Sequence, residues 1–399
     1  MAGYRDLLRT PGVGRIIAAQ LVARFPNGML SLALILHVEQ QTGSYGAAGL
    51  VLAATSVGQA VAGPVTSRWM GAWGMRRVLS LTLTICVIAV LGLALLELSL
   101  PGYMGLGLLA GLSTPPVQSA VRTIYPKMVN SSQLTPLFSL DASLQEIIWV
   151  LAPWSSPSSP LRSARSRAPA GRGDPRRRGT WFILSPELGR VRIPRSRRSF
   201  GRVVLRPPVA LATVLGFLLI GACAAVEVGV VATFGHDGLE AGIVLAIFSI
   251  GSLAGGLSFG HLPIGPWAMA RRLSIVAVGL VLTMISLNIF WLGGTLFLAG
   301  IGIAPALAVL FAITTASVKF SDTAEAFGWA GTGQLIGAAA GSAIAGLLID
   351  QSGPTGAYFA ASVFAVAGVL VAVVFVRAFP DLRGRDPSPH PDTEPLTLP

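Results

Sequence analysis

Long apolar runs with few charged residues divide this sequence into segments of about 20 residues, the length that an α-helix needs to cross the hydrocarbon core of a bilayer. Hydrophobic residues make up 53% of the 399, and only 12% are charged. A soluble domain carries about 25% charged residues, so the chain is expected to be an all-α membrane protein. The runs cover residues 14–38, 47–66, 78–99, 102–125, 134–153, 208–234, 240–260, 273–291, 294–317, 325–349 and 355–378.

Basic residues precede the first run and occupy every second loop after it. They are Arg5, Arg9 and Arg15, then Arg68, Arg76 and Arg77, Lys127, Arg271 and Arg272, Lys319, and Arg383 and Arg385. The intervening loops hold no Lys or Arg. Because cytoplasmic loops of membrane proteins are enriched in Lys and Arg, this alternation predicts cytoplasmic N- and C-termini in a multi-pass protein of the cell membrane.

The net charge of +12 bears on the expected binding partners. Of the 29 basic residues, 14 lie between Arg162 and Arg206. We assign this charge to membrane topology, because no basic fold interleaved with aromatic residues is visible. The expected partner is therefore the lipid bilayer, and no nucleic acid is expected.

Catalytic and cofactor motifs are not found in the sequence. It contains no P-loop, which argues against ATP-driven transport. Cys86 and Cys223 both lie in apolar runs, and the four His are scattered, so neither metal-ligand nor nucleophile spacing occurs. We expect no enzyme activity, no cofactor and no metal.

An internal repeat relates the two halves of the chain. At a shift of 193, Ala48–Gly63 aligns with Ala241–Gly256, and eight of the sixteen positions are identical. At a shift of 189, Gly111 aligns with Gly300, and Pro116, Phe138, Gln145 and Ile147 align with Pro305, Phe327, Gln334 and Ile336. Two six-helix halves in the same orientation are the parallel-repeat plan of secondary transporters.

The loop after the second run, GPVTSRWMGAWGMRRVL, carries the strongest local motif. It resembles the gate loop of the major facilitator superfamily (MFS), and the resemblance extends over nearly the whole chain. Ser67 stands where the family has Asp, and the spacing to Gly74 is stretched. The resemblance implies a cytoplasmic gate latch formed by Gly63, Arg68, Gly74, Arg76 and Arg77, with a weaker second copy at Arg271 and Arg272.

The family resemblance implies a two-lobed permease that works by alternating access, takes a small-molecule substrate and acts as a monomer. Leu151-Ala152-Pro153 is similar to the Gly-Pro element that marks antiporters, with Ala for Gly. This similarity favours proton-coupled export of a small organic solute or drug. A metabolite importer or uniporter is one alternative, and a non-transporting membrane product is another.

Residues 154–180 interrupt the pattern where the repeat requires a sixth helix. They contain seven Arg, four Pro and six Ser. Each Arg at the bilayer centre costs about 2.5–3.5 kcal/mol, so an ordinary span is excluded. Read one base early, common Ser, Pro and Arg codons encode apolar or small residues. We therefore infer compensating frameshifts, real or from sequencing error; a genuine cytoplasmic insertion is the alternative.

The predicted organisation has five parts. They are an N-terminal lobe (1–153), the aberrant segment (154–184), a basic cytoplasmic linker (185–207), a C-terminal lobe (208–379) and a disordered tail (380–399).

Polar residues within the spans are the candidates for a substrate or proton pathway, because such groups are costly in a membrane. An isolated carboxyl such as Glu227 suits proton binding; the alternative is that it is paired structurally or lies near the outer surface. Asp141 and Gln145 share one helix face, and Asp141 can pair with Arg122 on the neighbouring span, either functionally or as a structural ion pair. The full set is Arg24, Asn27, Asp141, Gln145, Glu227 and Gln334.

Overall fold

The computed structural model describes residues 4–42, 45–154, 182–196, 199–235, 239–260 and 262–392, and it is helical almost throughout that part. The described helices of the first half are α1 (Tyr4–Arg9), α2 (Val13–Thr42), α3 (Tyr45–Trp73), α4 (Met75–Leu95), α5 (Leu100–Leu112), α6 (Val117–Ile124), α7 (Ser131–Trp154) and α8 (Pro186–Arg190). Those of the second half are α9 (Pro207–Phe234), α10 (Leu239–Phe259), α11 (Ala268–Thr283), α12 (Ile289–Ala316), α13 (Phe320–Ser352) and α14 (Pro354–Val374).

Seven helices within the described residues are long and apolar enough to cross a membrane: α3, α4, α9, α10, α12, α13 and α14. Large apolar side chains also cover much of the outer surface, for example Ile88, Leu95, Leu347 and Val374, each more than 60% exposed. Apolar surface this extensive indicates a protein that faces lipid.

Two predicted spans differ from the observed helices. The run 102–125 is divided into α5 and α6, because Pro115 and Pro116 cannot continue the hydrogen-bonding pattern of a helix. The run 273–291 ends early, since α11 stops at Thr283. The next helix begins where the side chain of Asn288 accepts a hydrogen bond from the backbone N–H of Phe290 (2.9 Å).

The internal repeat is visible as the same helix crossing in both lobes. Glycines at equivalent positions lie directly on the backbone of the crossing helix, where a Cβ atom would overlap a carbonyl oxygen. In the first lobe Gly58 faces Leu108 and Gly111 faces Thr55; in the second, Gly251 faces Phe297 and Gly300 faces Phe248. The two shifts found in the sequence relate these pairs to each other, so the repeat preserves a packing contact.

The lobes contact each other near one end of the bundle, which we call the basic end because Arg68, Arg76 and Arg271 lie there. At this end α3 packs on α13, and α7 packs on α10 and α12. Deeper in the bundle, about 18–20 Å from the basic end along α13 and α3, the hydroxyl of Thr332 donates to the carbonyl of Ala60 (2.6 Å). These contacts join the lobes, beginning at the basic end.

A second cross-lobe hydrogen bond joins α7 to α10. The hydroxyl of Ser139 donates to the carbonyl of Gly256 (2.8 Å). Gly260, one turn further along, also lies against Ser139, so small residues let the two helices approach closely.

The predicted disordered tail, 380–399, differs from the structure where it is described. The backbone N–H of His390 donates to the carbonyl of Val318 (3.0 Å), and the N–H of Phe320 donates to the carbonyl of His390 (3.1 Å). A polar, Pro-rich composition does not reveal that a loop of the second lobe offers free backbone groups to this segment. Residues 393–399 lie outside the described part.

The aberrant segment 154–184 lies almost wholly outside the described residues, which resume at Phe182. That residue and Leu188 are buried at the start of the linker. Glu187 is paired with Arg15 of α2, so the linker begins against the basic end of the first lobe.

The equivalent glycine contacts predict equivalent sensitivity to an added methyl group. We expect Gly111→Ala and Gly300→Ala each to destabilise the protein by about 1–3 kcal/mol, because overpacking a helix contact forces the helices apart. Gly105 and Gly294, on the same two helices, have open space at the Cβ position. Gly105→Ala and Gly294→Ala are the matched controls, and thermal unfolding in detergent is the measurement. Equal melting temperatures for all four variants would contradict the assignment.

Candidate functional site

A buried carboxylate at Asp141 joins three helices of the first lobe. Its side chain is 1% exposed. The oxygen Oδ1 accepts hydrogen bonds from Gln20 Nε2 (2.6 Å) on α2 and from the hydroxyl of Tyr125 (3.1 Å), directly after α6. The oxygen Oδ2 accepts from Nε of Arg122 on α6 (3.1 Å). Asp141 therefore has polar partners on both sides of α7.

Arg122 uses several of its donors within this cluster and also reaches the second lobe. Its terminal nitrogens donate to Gln118 Oε1 (3.2 Å) and Gln145 Oε1 (3.4 Å). The guanidinium carbon lies 3.6 Å from the centre of the Phe311 ring on α12, which is a cation–π contact. The first lobe's buried cation thus packs directly against the second lobe.

Arg24 is the second buried cation of the cluster, and it is less completely paired. One terminal nitrogen donates to Gln20 Oε1 (3.0 Å) and lies 3.9 Å from Asp141 Oδ1. Gln20 and Arg24 are four residues apart on α2, so they share one face of the helix. Among the described side chains the cluster holds two guanidinium groups and one carboxylate.

Aromatic side chains separate the cluster from the basic end. The Phe138 ring lies 6.0 Å from the ring of Phe311 and 6.2 Å from the ring of Phe327, on helices of the second lobe. Along their helices these residues lie about 7–10 Å from the basic end, whereas Asp141 and Arg24 lie about 15–16 Å from it. Asp141 and Arg24 therefore lie deeper than these rings, whereas Arg122 lies two residues from the end of α6 at the basic end.

The remaining predicted pathway residues lie elsewhere. Glu227 is exposed on α9, about 10 Å from the helix end opposite the basic end. It has no hydrogen bond or ion pair among the described residues. Gln334 is half-buried on α13 beside Gly216, away from Gln145. The side chain of Asn27 lies outside the described part. The structure thus brings Arg24, Asp141 and Gln145 together, but neither Glu227 nor Gln334.

The predicted gate loop contributes a cross-lobe ion pair. Arg68 donates from a terminal nitrogen to Glu325 Oε2 on α13 (2.6 Å), and Glu325 Oε1 accepts from the linker N–H of Gly201 (2.8 Å). Ser67, where the family has Asp, is fully buried. Its hydroxyl has no partner among the described residues. The ionic contact therefore involves Arg68 and Glu325.

The other gate residues have local roles. Gly74 has a φ of +91°, which favours glycine, and it directly precedes α4. Arg76 donates to the carbonyl of Ser185 in the linker (3.0 Å), while Arg77 is exposed. Gly63 faces the backbone of Gly328 across the lobe interface.

In the second copy of the loop, only one of the two arginines binds the protein core. Arg272 is buried and donates to the carbonyl of Pro305 (2.7 Å). Arg271 is exposed and lines a shallow pocket with Trp267 and Arg383.

Several residues of the site were missed in the sequence. Gln20, Gln118 and Tyr125 complete the cluster, and Phe311 covers it. The spacing of Gln20 and Arg24 could have indicated the first of these. The contact with Phe311 joins distant segments, and no local pattern indicates it.

These observations define a helical, multi-pass membrane protein built from two similar lobes that meet around buried polar groups. The family model of the Major Facilitator Superfamily matches residues 16–158 and 209–398. The chain belongs to this superfamily, as the loop motif and the repeat indicated. It is a membrane transporter of the MFS fold, and the class consists of transporters, not enzymes.

Solved transporters share the fold at low sequence identity. The human organic anion transporter MFSD10 (TETRAN) is 14% identical with a TM-score of 0.66, over 90% of this chain and 98% of that one. A bacterial homologue of the iron transporter ferroportin, in an outward-facing state, is 15% identical with a TM-score of 0.67, over 92% and 99%. The proton:xylose symporter XylE is 11% identical with a TM-score of 0.67, over 94% of this chain and 97% of that one. No curated protein sequence matches significantly.

The charge cluster predicts a specific order of stabilities. Asp141→Asn leaves two buried guanidinium groups without a carboxylate, and we expect the free energy of unfolding to fall by about 3–5 kcal/mol. Adding Arg122→Gln should restore part of this loss, because one unpaired charge is removed. Gln145→Ala, which removes one long hydrogen bond, should cost less than about 1 kcal/mol.

Thermal unfolding of the purified variants in detergent measures these differences. An Asp141→Asn variant as stable as Gln145→Ala, or a double variant less stable than Asp141→Asn alone, would contradict the charge assignment.

Proposed function

We propose that this protein is a secondary active transporter that exports a small organic solute or drug in exchange for protons by alternating access. The observation that carries the proposal is the set of cross-lobe contacts near the basic end of the bundle, next to the buried charged side chains of Arg24, Arg122 and Asp141. Transporters with internal repeats bind their substrates near the midplane, at the interface of the repeats.

The proposed orientation follows from the basic loops. Because Lys and Arg mark cytoplasmic loops, the closed basic end is cytoplasmic, as are both termini, in the cell membrane. The structure would then correspond to an outward-facing state, the state in which the ferroportin homologue was solved. The Arg68–Glu325 pair is the proposed latch of this state, because it must break for the cytoplasmic side to open.

The proposed proton pathway involves Glu227 and the Asp141 cluster. Glu227 is exposed toward the end opposite the basic end, without a partner among the described residues, and there a carboxyl would exchange a proton with the outer solution. Asp141 holds the buried charges deeper in the molecule. Polar groups at such depths are costly in a membrane, which supports a functional role for both. Arg24, Asn27, Gln145 and Gln334 are the proposed substrate-facing residues.

Two alternatives remain distinct from proton-coupled export. A metabolite importer or uniporter fits the same fold, since the proton:xylose symporter XylE shares it. A non-transporting product is the alternative that the aberrant segment at 154–180 favours. Transport activity in a chain with the alternate reading frame restored, together with no transport by the present sequence, would identify the present chain as a non-transporting product.

The coupling proposal predicts a separation of driven flux from exchange. We expect Glu227→Gln to abolish accumulation driven by a pH gradient while exchange at equal pH on both sides continues, because only the driven mode requires a proton to be carried. The measurement uses proteoliposomes with benzoate, benzamide and benzamidinium as radiolabelled probes of one shape and three charges.

Glu240→Gln is the matched control, since Glu240 is an exposed acid in the first turn of α10 at the same end of the molecule. It should leave both modes unchanged. Driven accumulation that persists in Glu227→Gln would exclude Glu227 as the coupling residue.

A further inference from the structure

The buried cluster carries an unbalanced positive charge. Arg24 and Arg122 are 6% and 2% exposed, and Asp141 is 1% exposed. Asp141 accepts a direct hydrogen bond from Nε of Arg122, whereas its closest approach to Arg24 is 3.9 Å. One carboxylate cannot neutralise two guanidinium groups, so the described cluster holds a buried net charge of +1.

Among the described residues, Arg24 is the member of the cluster most of whose donors have no partner. A guanidinium group has five N–H donors in a planar fork. Within the described residues one hydrogen bond forms, from a terminal nitrogen to Gln20 Oε1 (3.0 Å). Arg122 instead bonds three different side chains and stacks on Phe311. Arg122 is therefore held by the protein, and Arg24 retains donors for another partner.

An uncharged side chain, that of Gln20, positions Arg24. Gln20 joins Arg24 to Asp141 through hydrogen bonds of 3.0 and 2.6 Å. This relay orients the guanidinium without supplying a negative charge. A charged group in the membrane interior normally pairs with an opposite charge, so the arrangement is incomplete without an anion.

We infer that the transported solute is a small organic anion and that Arg24 binds its carboxylate. A carboxylate accepts two parallel N–H bonds from a guanidinium fork, which matches the unused donors of Arg24 in geometry and charge. Binding would bring the cluster to two positive and two negative charges. This inference rests on the proposed transport function, because it names the substrate class of the same central site.

The inference predicts an unusual effect of substitution without any ligand. Removing a structural cation normally destabilises a protein, but Arg24→Gln removes the surplus charge. We therefore expect its melting temperature without added ligand to equal or exceed that of the native chain. Arg122→Gln should lower it strongly, because Asp141 then loses its direct partner. A marked loss of stability in Arg24→Gln would show that Arg24 is paired structurally, and would overturn the inference.

Ligand binding provides the second test. Purified protein in low-salt detergent buffer is titrated with matched pairs of probes: benzoate and benzamide, hexanoate and hexanamide. We expect at least one carboxylate to raise the melting temperature while its amide does not. In Arg24→Gln the apparent affinity should fall about 10- to 100-fold, the loss expected for a charged hydrogen bond. Arg385→Gln, an exposed arginine of the tail, should retain the native response.

The outcomes separate the substrate class from the transport function. If no carboxylate stabilises the native protein more than its amide, or if the response survives in Arg24→Gln, the anion inference fails. Gradient-driven uptake of benzamidinium without benzoate would retain the transporter and reject the anion. Stabilisation by a carboxylate that depends on Arg24, together with no flux of any probe, would retain the anion site and reject transport.

Discussion

The charge of Asp141 is the constraint on which the central part of this protein depends. A carboxylate at mid-depth cannot be solvated by lipid, so its oxygens must be satisfied by side chains. Gln20, Tyr125 and Arg122 supply these bonds from two other segments, and they thereby fix α2 and α6 against α7. Because the Arg122 guanidinium stacks on Phe311, the same cluster forms part of the contact between the lobes.

Backbone contact provides the second level of organisation. Contacts between helices in a membrane gain little from the hydrophobic effect. Small residues instead let the helices approach closely, so that van der Waals packing stabilises the contact. The equivalent glycines at Gly58 and Gly251, and at Gly111 and Gly300, give both lobes the same crossing. Between the lobes, Arg68 and Glu325 form an ion pair.

Much of the fold was predictable because a bilayer constrains sequence strongly. Apolar length predicted the spans, and the repeat predicted two equivalent lobes. Proline at 115 and 116 was visible, but its effect of dividing a span was not anticipated. The site was predicted less completely: the Arg122–Asp141 pair could be proposed from sequence, whereas its contact with Phe311 depends on tertiary packing. Glu227 illustrates the limit, because a carboxyl within an apolar run gives no information about its exposure or its distance from other charges, and the structure exposes it away from the Asp141 cluster.

The distances between the lobes test the account most directly. In a chain carrying Cys86→Ser and Cys223→Ser, spin labels are placed at Arg77 and Arg271 near the basic end, and separately at Leu96 and Phe290 near the opposite end. All four positions are exposed. Pulsed electron paramagnetic resonance then measures the distance between the two labels of each pair, in the chain with the Arg68–Glu325 ion pair intact and in its Glu325→Gln variant. We predict that the variant lengthens the first distance and shortens the second, since breaking the Arg68–Glu325 pair favours opening of the basic end. Two distances that stay unchanged, or change in the same direction, would contradict alternating access controlled by this contact.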